Sequence, residues 1–368
     1  MRILFIANHL NVGGISSYLL TLSGGLIKRG HRIYLASGGG ELEDEFRREG
    51  VSLFRVPLKT KNEVSPAVFF SFLKLKRIIR ELNIDLIHSQ SRTTQVLGEL
   101  LGRFSGKPHI FTCHGFFRPR LFRRIFGCWG RKVIAVSPQV QEHLVSVFRL
   151  DPGRIALIPN GIDLERFGDF SLRQKMRREM GLEDNLLIGI VARLSDVKGH
   201  LYLIRAMPEV LAGFPGARLL IAGEGKMRPL LDREIDALAL GGKVIFIPRV
   251  KPSGDLLAAI DVFAMPSLQE GLGLALMEAM AQGLAVVGSS VGGIKMLIQD
   301  KVNGLLVAPA DVPGLARAIV ELLGDEGLRS SLGKRAREFI TANFSKEKMA
   351  ADTELVYRPF FGGINQER

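Results

Sequence analysis

Apolar positions in this chain fall into short runs that fill both parities, and longer stretches of helical period separate most of them. The first set is 2–7 (RILFIA), 31–36, 51–56, 84–89, 109–113, 132–137 and 154–159. A second set follows at 186–192 (LLIGIVA), 217–223, 243–248, 261–266 and 284–289. Apolar residues on both sides of a strand mark burial on both faces, the signature of a parallel sheet covered by helices. Helices are predicted at 15–29, 66–82 and 92–104 in the first half. In the second half they are predicted at 200–213, 226–239 and 273–282, and 311–358 reads as a helical tail. Strands alternating with helices imply βαβ units with right-handed crossovers. The expected fold class is α/β, with two Rossmann-like, doubly wound parallel-sheet domains.

The join between the two sets is placed in the polar segment 160–174. The domains are therefore drawn as 1–165 and 166–345, with 346–368 as a tail. In such sheets ligands collect beyond the carboxyl ends of the strands. An interdomain cleft is the expected site, and the loops that follow strands are where chemistry is sought.

Composition narrows the classes. Two cysteines, Cys113 and Cys128, cannot build a disulfide framework or a cysteine zinc site. No apolar run reaches the length of a spanning helix, and the first run lacks the pattern of a secretory leader. A cytoplasmic location is expected. The net charge of +13 is lopsided: residues 1–180 carry +14 and residues 181–368 carry −1. A basic half fits an anionic membrane surface or a nucleic acid.

Four loops carry candidate chemistry. Gly13 and Gly14 stand between a strand and a helix, where backbone amides can meet a phosphate; the spacing is not that of a dinucleotide fingerprint. His114 ends a strand in CHGFF and can bond a sugar hydroxyl or a phosphate. Arg193 and Lys198, five residues apart between strand and helix, can hold one diphosphate from two sides. In MPSLQEGLGLALMEAMAQG (265–283), Glu270 lies before an almost uncharged helix and Glu278 lies within it. A carboxylate in such surroundings needs hydrogen-bond donors, and ribose hydroxyls or a structural cation would supply them. Gly271 to Leu274 offer free amides at the helix start. No D-x-D occurs, so no metal site is expected.

Together these landmarks resemble the retaining glycosyltransferases of family 4, of GT-B fold. They stand in order as VGG (12–14), CHG (113–115), IPNGID (158–163), ARLSDVKG (192–199), AGEG (222–225), Glu270-x7-Glu278 and NGLLV (303–307). The resemblance implies a nucleotide-sugar donor, a UDP-sugar or a GDP-sugar, held mainly by the C-terminal domain, with no cofactor. It puts Arg193 and Lys198 on the diphosphate and Glu278 on the ribose. Glu270 with the amides of Gly271, Leu272, Gly273 and Leu274 falls on the donor sugar, and His114 on the transferred sugar. Gly13 and Gly14 close over the phosphates, Arg249 lies near the base, and the tail near 346–358 returns to the first domain. That domain would carry a glycan or lipid-linked acceptor. Cys113 stands where the family often has threonine, Ala275 where proline is usual, and Arg249 where glycine is common.

The segment 116–132 holds six basic residues and no acid, interleaved with Phe116, Phe117, Phe122, Phe126 and Trp129. Arg118, Arg120, Arg123 and Arg124 are the expected membrane or acceptor surface; 65–80 has a similar composition. The expected function is transfer of a sugar in cell-envelope glycolipid or polysaccharide synthesis. An epimerase of similar two-domain fold is the alternative. A basic nucleic-acid-binding protein is the distant one, and it leaves Glu270 and Glu278 without a role; no nucleic-acid partner is expected.

Overall fold

The computed structural model describes residues 1–60, 62–63, 65–119, 126–247 and 253–360. The chain divides into two compact units, 1–161 with the C-terminal residues from 346 onward, and 162–345.

The first unit holds seven strands: β1 (Arg2–Ile6), β2 (Arg32–Ser37), β3 (Ser52–Arg55), β4 (Leu86–Ser89), β5 (His109–Cys113), β6 (Lys132–Ala135) and β7 (Ile155–Leu157). They form one parallel sheet in the order β3-β2-β1-β4-β5-β6-β7. Ile3 pairs with Ile33 on one side and Leu86 on the other, so β1 lies at the centre, at the point where the strand order reverses. The helices are α1 (Gly14–Lys28), α2 (Glu43–Arg48), α3 (Pro66–Glu81), α4 (Arg92–Ser105) and α5 (Pro138–Phe148). Local chemistry sets their starts. Ser65 caps α3 with Pro66 in its first turn, Ser137 does the same for α5, and Ser91 and Thr94 bond reciprocally at α4. The sheet is buried on both faces: Ile3, Phe5 and Ile33 face one apolar layer, and Leu4, Ile6 and Ile87 the other.

The second unit holds β8 (Leu187–Val191), β9 (Arg218–Ala222), β10 (Val244–Ile247), β11 (Val262–Met265), β12 (Ala285–Ser289) and β13 (Leu305–Val307). Their order is β10-β9-β8-β11-β12-β13, again parallel, with the reversal between β8 and β11. Its helices are α6 (Arg173–Met180), α7 (His200–Gly213), α8 (Arg228–Ala237), α9 (Ser253–Ala259), α10 (Leu274–Gln282), α11 (Ile294–Leu297), α12 (Val312–Gly324) and α13 (Glu326–Asn343).

The last helix, α14 (Lys346–Tyr357), belongs to the first unit and packs along α1. A Cβ at Gly25 would come within 2.7 Å of the Ala350 Cβ, so glycine is what lets the two helices touch. Met349, Ala350 and Tyr357 are buried in that contact, and Arg29 Nε donates to Glu354 Oε2 at 2.6 Å along its edge.

All twelve predicted strands form, and β13 is an addition too short to stand out by pattern. The tail is three helices rather than one. Asp325 starts the second of them by accepting from the Leu328 amide at 2.8 Å, and the chain leaves helical geometry again at Phe344.

Candidate functional site

In the second unit the loops after β8 and β11, neighbours at the reversal, are locked together by their backbones. The Leu268 amide donates to the Val197 carbonyl at 2.8 Å. Gly199 sits at φ +76°, and a Cβ there would lie 1.8 Å from the Pro266 carbonyl oxygen. Only glycine meets both demands. The Gly293 amide, after β12, donates to the Glu270 carbonyl at 3.2 Å.

This locking brings Lys198 against Glu270, 72 residues apart in sequence, as a hydrogen-bonded ion pair. Glu270 is 9% exposed, and Ser267 Oγ donates to the same oxygen, Oε2, at 3.4 Å. A carboxylate so enclosed requires the ammonium for charge balance. The ammonium has three N–H donors, and Glu270 Oε2 takes one. Arg193 is exposed on the same loop and makes no ion pair with any described residue. Sequence reading set Lys198 and Glu270 on different parts of a ligand; the structure joins them directly.

Gly271, Leu272 and Gly273 lead from Glu270 into α10, whose first-turn amides have no partner within the helix. Leu272, Leu276, Met277 and Met280 are buried, whereas Leu274 and Glu278 are half-buried, so α10 is covered on most sides rather than all round. Just beyond Lys198, burial pushes the His200 imidazole down to about 4. Arg249 lies outside the described residues.

In the first unit, Gly13 precedes α1 and no side chain caps that helix, leaving its first-turn amides available for an anion. His114 follows β5. Its Nε2 lies 2.9 Å from Gln90 Oε1, and the Tyr18 ring meets it edge-on at 4.6 Å between centroids. Burial pushes the imidazole down to about 3, so it is neutral at physiological pH.

Behind His114 runs a buried polar chain that sequence reading missed. Tyr357 Oη lies 2.6 Å from His88 Nδ1, His88 Nε2 lies 2.7 Å from Thr112 Oγ1, and Thr112 Oγ1 lies 3.3 Å from Tyr18 Oη. Four elements contribute, α14, β4, β5 and α1, with sequence separations up to 269 residues. No local motif announces such a set. The one available signal was polar residues inside otherwise apolar strands, His88 in LIHS and Thr112 in HIFTC.

At the reversal between β1 and β4 lies a cavity of about 580 Å³, lined among others by Asn8, Lys59, Thr60, Thr93, Phe117 and Arg118. Arg118 is exposed at its edge; Arg120, Arg123 and Arg124 lie outside the described residues. Of the aromatics of 116–132 that were expected at an interface, Trp129 alone among the described residues is buried, Phe116 and Phe117 are half-buried, and Phe122 lies outside the described residues. Phe117 stacks on Phe111, and Trp129, 8% exposed, packs against Phe111, Phe117 and Phe148. Trp129 is part of the core beside β5, whereas Phe117 also lines the cavity. Phe126 is exposed.

Two family profiles cover most of the chain: Glycosyltransferase Family 4 matches residues 12–166, and Glycosyl transferases group 1 matches residues 173–339. An uncharacterized glycosyltransferase of Methanocaldococcus jannaschii is 30% identical over 378 residues, with 94% of each chain covered. The chain belongs to the group 1 glycosyltransferases. This glycosyltransferase is also 27% identical over 336 residues to an Escherichia coli enzyme, UDP-Gal:alpha-D-GlcNAc-diphosphoundecaprenol alpha-1,3-galactosyltransferase, covering 86% of each. Among solved structures it matches Anabaena HepE in complex with UDP and glucose, with a TM-score of 0.85 at 21% identity over 97% of this chain and 99% of that one. The likeness establishes the GT-B fold. No described helix of the glycosyltransferase is long and apolar enough to cross a membrane.

Proposed function

We propose that this glycosyltransferase moves a sugar, with retention of anomeric configuration and without a metal, from a UDP- or GDP-sugar to a glycan or lipid-linked acceptor of the cell envelope. The reading places it on the inner face of the cytoplasmic membrane. The observation that carries it is the Lys198–Glu270 pair at the sheet reversal of the second unit. Arg193 and the two spare N–H groups of Lys198 offset the charge that develops on the leaving diphosphate, with the α10 amides beside them. Glu270 Oε1 accepts from a sugar hydroxyl, and Glu278 from the ribose. The leaving phosphate takes the acceptor proton in a front-face attack, so no protein nucleophile is needed.

In the first unit, neutral His114 accepts or donates one hydrogen bond to the transferred sugar without adding charge. The acceptor head group is assigned to the 580 Å³ cavity, where Lys59 and Arg118 suit a phosphate-bearing acceptor. An epimerase is not favoured, because the relatives named above are glycosyltransferases.

A donor panel tests the reading. Slow hydrolysis of one UDP- or GDP-sugar, releasing the anomer of the donor, is the expected result. Release of the opposite anomer, or no turnover of any nucleotide sugar, defeats it. Activity should be unchanged in EDTA, checked by turnover before and after chelation; a strict requirement for added magnesium or manganese rules out the metal-free site.

A further inference from the structure

We propose that the outer face of α3 and α4 in the first unit docks on an anionic lipid bilayer. This rests on the membrane-side reading above but moves the contact away from 116–132, whose tryptophan, Trp129, is internal. Helix α3 has two unlike faces. Val68, Ser71, Leu75, Ile78 and Ile79 turn inward. Phe69, Phe70 and Leu73 turn outward, and Leu100 and Phe104 of α4 join them; these five side chains are between 39% and 64% exposed. Single exposed apolar residues are ordinary, but a contiguous cluster of large ones marks an interaction surface.

Continuity comes from ring contacts and helical spacing. The Phe69 and Phe70 rings lie 6.0 Å apart, and Phe72 joins α3 to Phe104 of α4 at 5.3 Å. Leu73 is one turn from Phe69, and Phe104 one turn from Leu100. Lys76 Nζ lies 5.7 Å from the centre of the Phe104 ring. Arg77 and Arg80 stand on the same helix, exposed, and Arg103 precedes Phe104 on α4; Lys74 instead donates to the Arg55 carbonyl at 2.9 Å. The acids there, Glu81 and Glu99, are engaged by Arg77 and Arg103. Lys76 and Arg80 make no ion pair with any described residue, so their charge is directed outward.

Aromatic rings bordered by cations match a bilayer interface, where rings enter the headgroup layer and cations meet anionic lipid. That complementarity selects the occupant. A second copy would set two cationic faces against each other, and a polar acidic partner would leave the phenylalanine cluster unsatisfied.

The test is co-sedimentation of the full chain with phosphatidylglycerol–phosphatidylcholine vesicles and with pure phosphatidylcholine, at low and high salt. Wild type should bind the anionic vesicles and weaken with salt. Lys76→Gln with Arg80→Gln should weaken binding at low salt by about 25-fold, at about fivefold per cation. The set Phe69→Gln, Phe70→Gln, Leu73→Gln and Phe104→Gln should abolish the salt-resistant remainder while donor hydrolysis without vesicles is unchanged. All these side chains are exposed, so an unaltered melting midpoint verifies folding. In a Phe69→Trp variant, emission should shift to the blue on adding anionic vesicles.

Equal vesicle binding by wild type and the α3–α4 variants overturns the proposal. So does loss of binding only when Arg118, Arg120, Arg123 and Arg124 become glutamine, or a wild-type dimer that the α3–α4 set disperses. Failure of donor hydrolysis in wild type strikes the reading of the reaction instead, and the two failures are read in separate assays.

Discussion

The two units share a sheet plan and differ in how they hold polar groups at the strand ends. In the second, charge is concentrated: Lys198 and Glu270 pair across two loops, with Arg193 exposed beside them. In the first, the polar groups around His114 are neutral and enclosed, a chain of Tyr18, Thr112, His88 and Tyr357. Fixed charges aimed outward suit a ligand that arrives charged. A buried neutral network cannot offset charge, but it can hold a side chain at one angle. The difference leads us to expect donor electrostatics from the second unit and positioning from the His114 network of the first.

The sharpest way to break that contrast is to remove the charge. Lys198→Ala should lower kcat/KM by about 10²–10³-fold, the usual loss for one preorganised charge-stabilising group, equal to about 2–4 kcal/mol. His114→Ala should lower it less. Steady-state kinetics on both variants decides, and a larger loss at His114 reverses the division of labour.

Within the second unit the two glutamates separate. Glu278→Gln should weaken UDP or GDP binding by about 1.5–3 kcal/mol, the range for a hydrogen bond to a charged group. Glu270→Gln should spare nucleotide affinity and reduce turnover. Calorimetry with both nucleotides checks this, and equal losses of affinity would merge the two roles.

In the neutral network of the first unit, Tyr357→Phe leaves a buried ring nitrogen of His88 without its partner. It should cost about 1–3 kcal/mol of stability in urea unfolding. It should also lower kcat more than it raises KM, because His114 loses definition four contacts away. Unchanged kcat with reduced stability would make the chain structural only.

The smallest expected effect is acid sensitivity. Burial depresses His88, His109 and His114 in the first unit and His200 in the second. A histidine depressed by folding takes up protons more readily when unfolded. Its stabilisation is therefore complete above the free value of about 6.5 and falls as pH drops toward the folded value. Calorimetric melts from pH 7 to pH 5 should show the first unit losing more than the second. A parallel decline would remove this distinction between them.

How much of this was legible differs between the units for the same reason. Strands such as RILFI and LIGIV announce themselves because both faces are covered by helices, so no polar residue interrupts them. Lys198, Glu270 and Glu278 were legible because each stands in a short polar break beside an apolar run. Their pairing was not, because adjacency of β8 and β11 is a property of sheet order. Tyr18 and Tyr357 were invisible as functional groups. Each is one aromatic position on an amphipathic helix, and its hydroxyl gains meaning only from His88 and Thr112 on other elements. The place of Trp129 was hidden for a related reason. Basic and aromatic composition is alike in 65–80 and 116–132, and only packing shows that Trp129 points inward.

The placement of α14 has a consequence for synthesis. Residues 162–345 form their unit from one continuous stretch, so it can close as soon as that stretch has left the ribosome. The unit begun earlier must wait longer: Met349, Ala350 and Tyr357 complete its core and are made almost 200 residues after Gly161. Until then Leu19, Leu22 and Leu26 of α1 lack part of their cover, and His88 lacks its phenol. The half of the protein that emerges first is thus the half that finishes last, and a chain broken just before Lys346 would damage its beginning rather than its end.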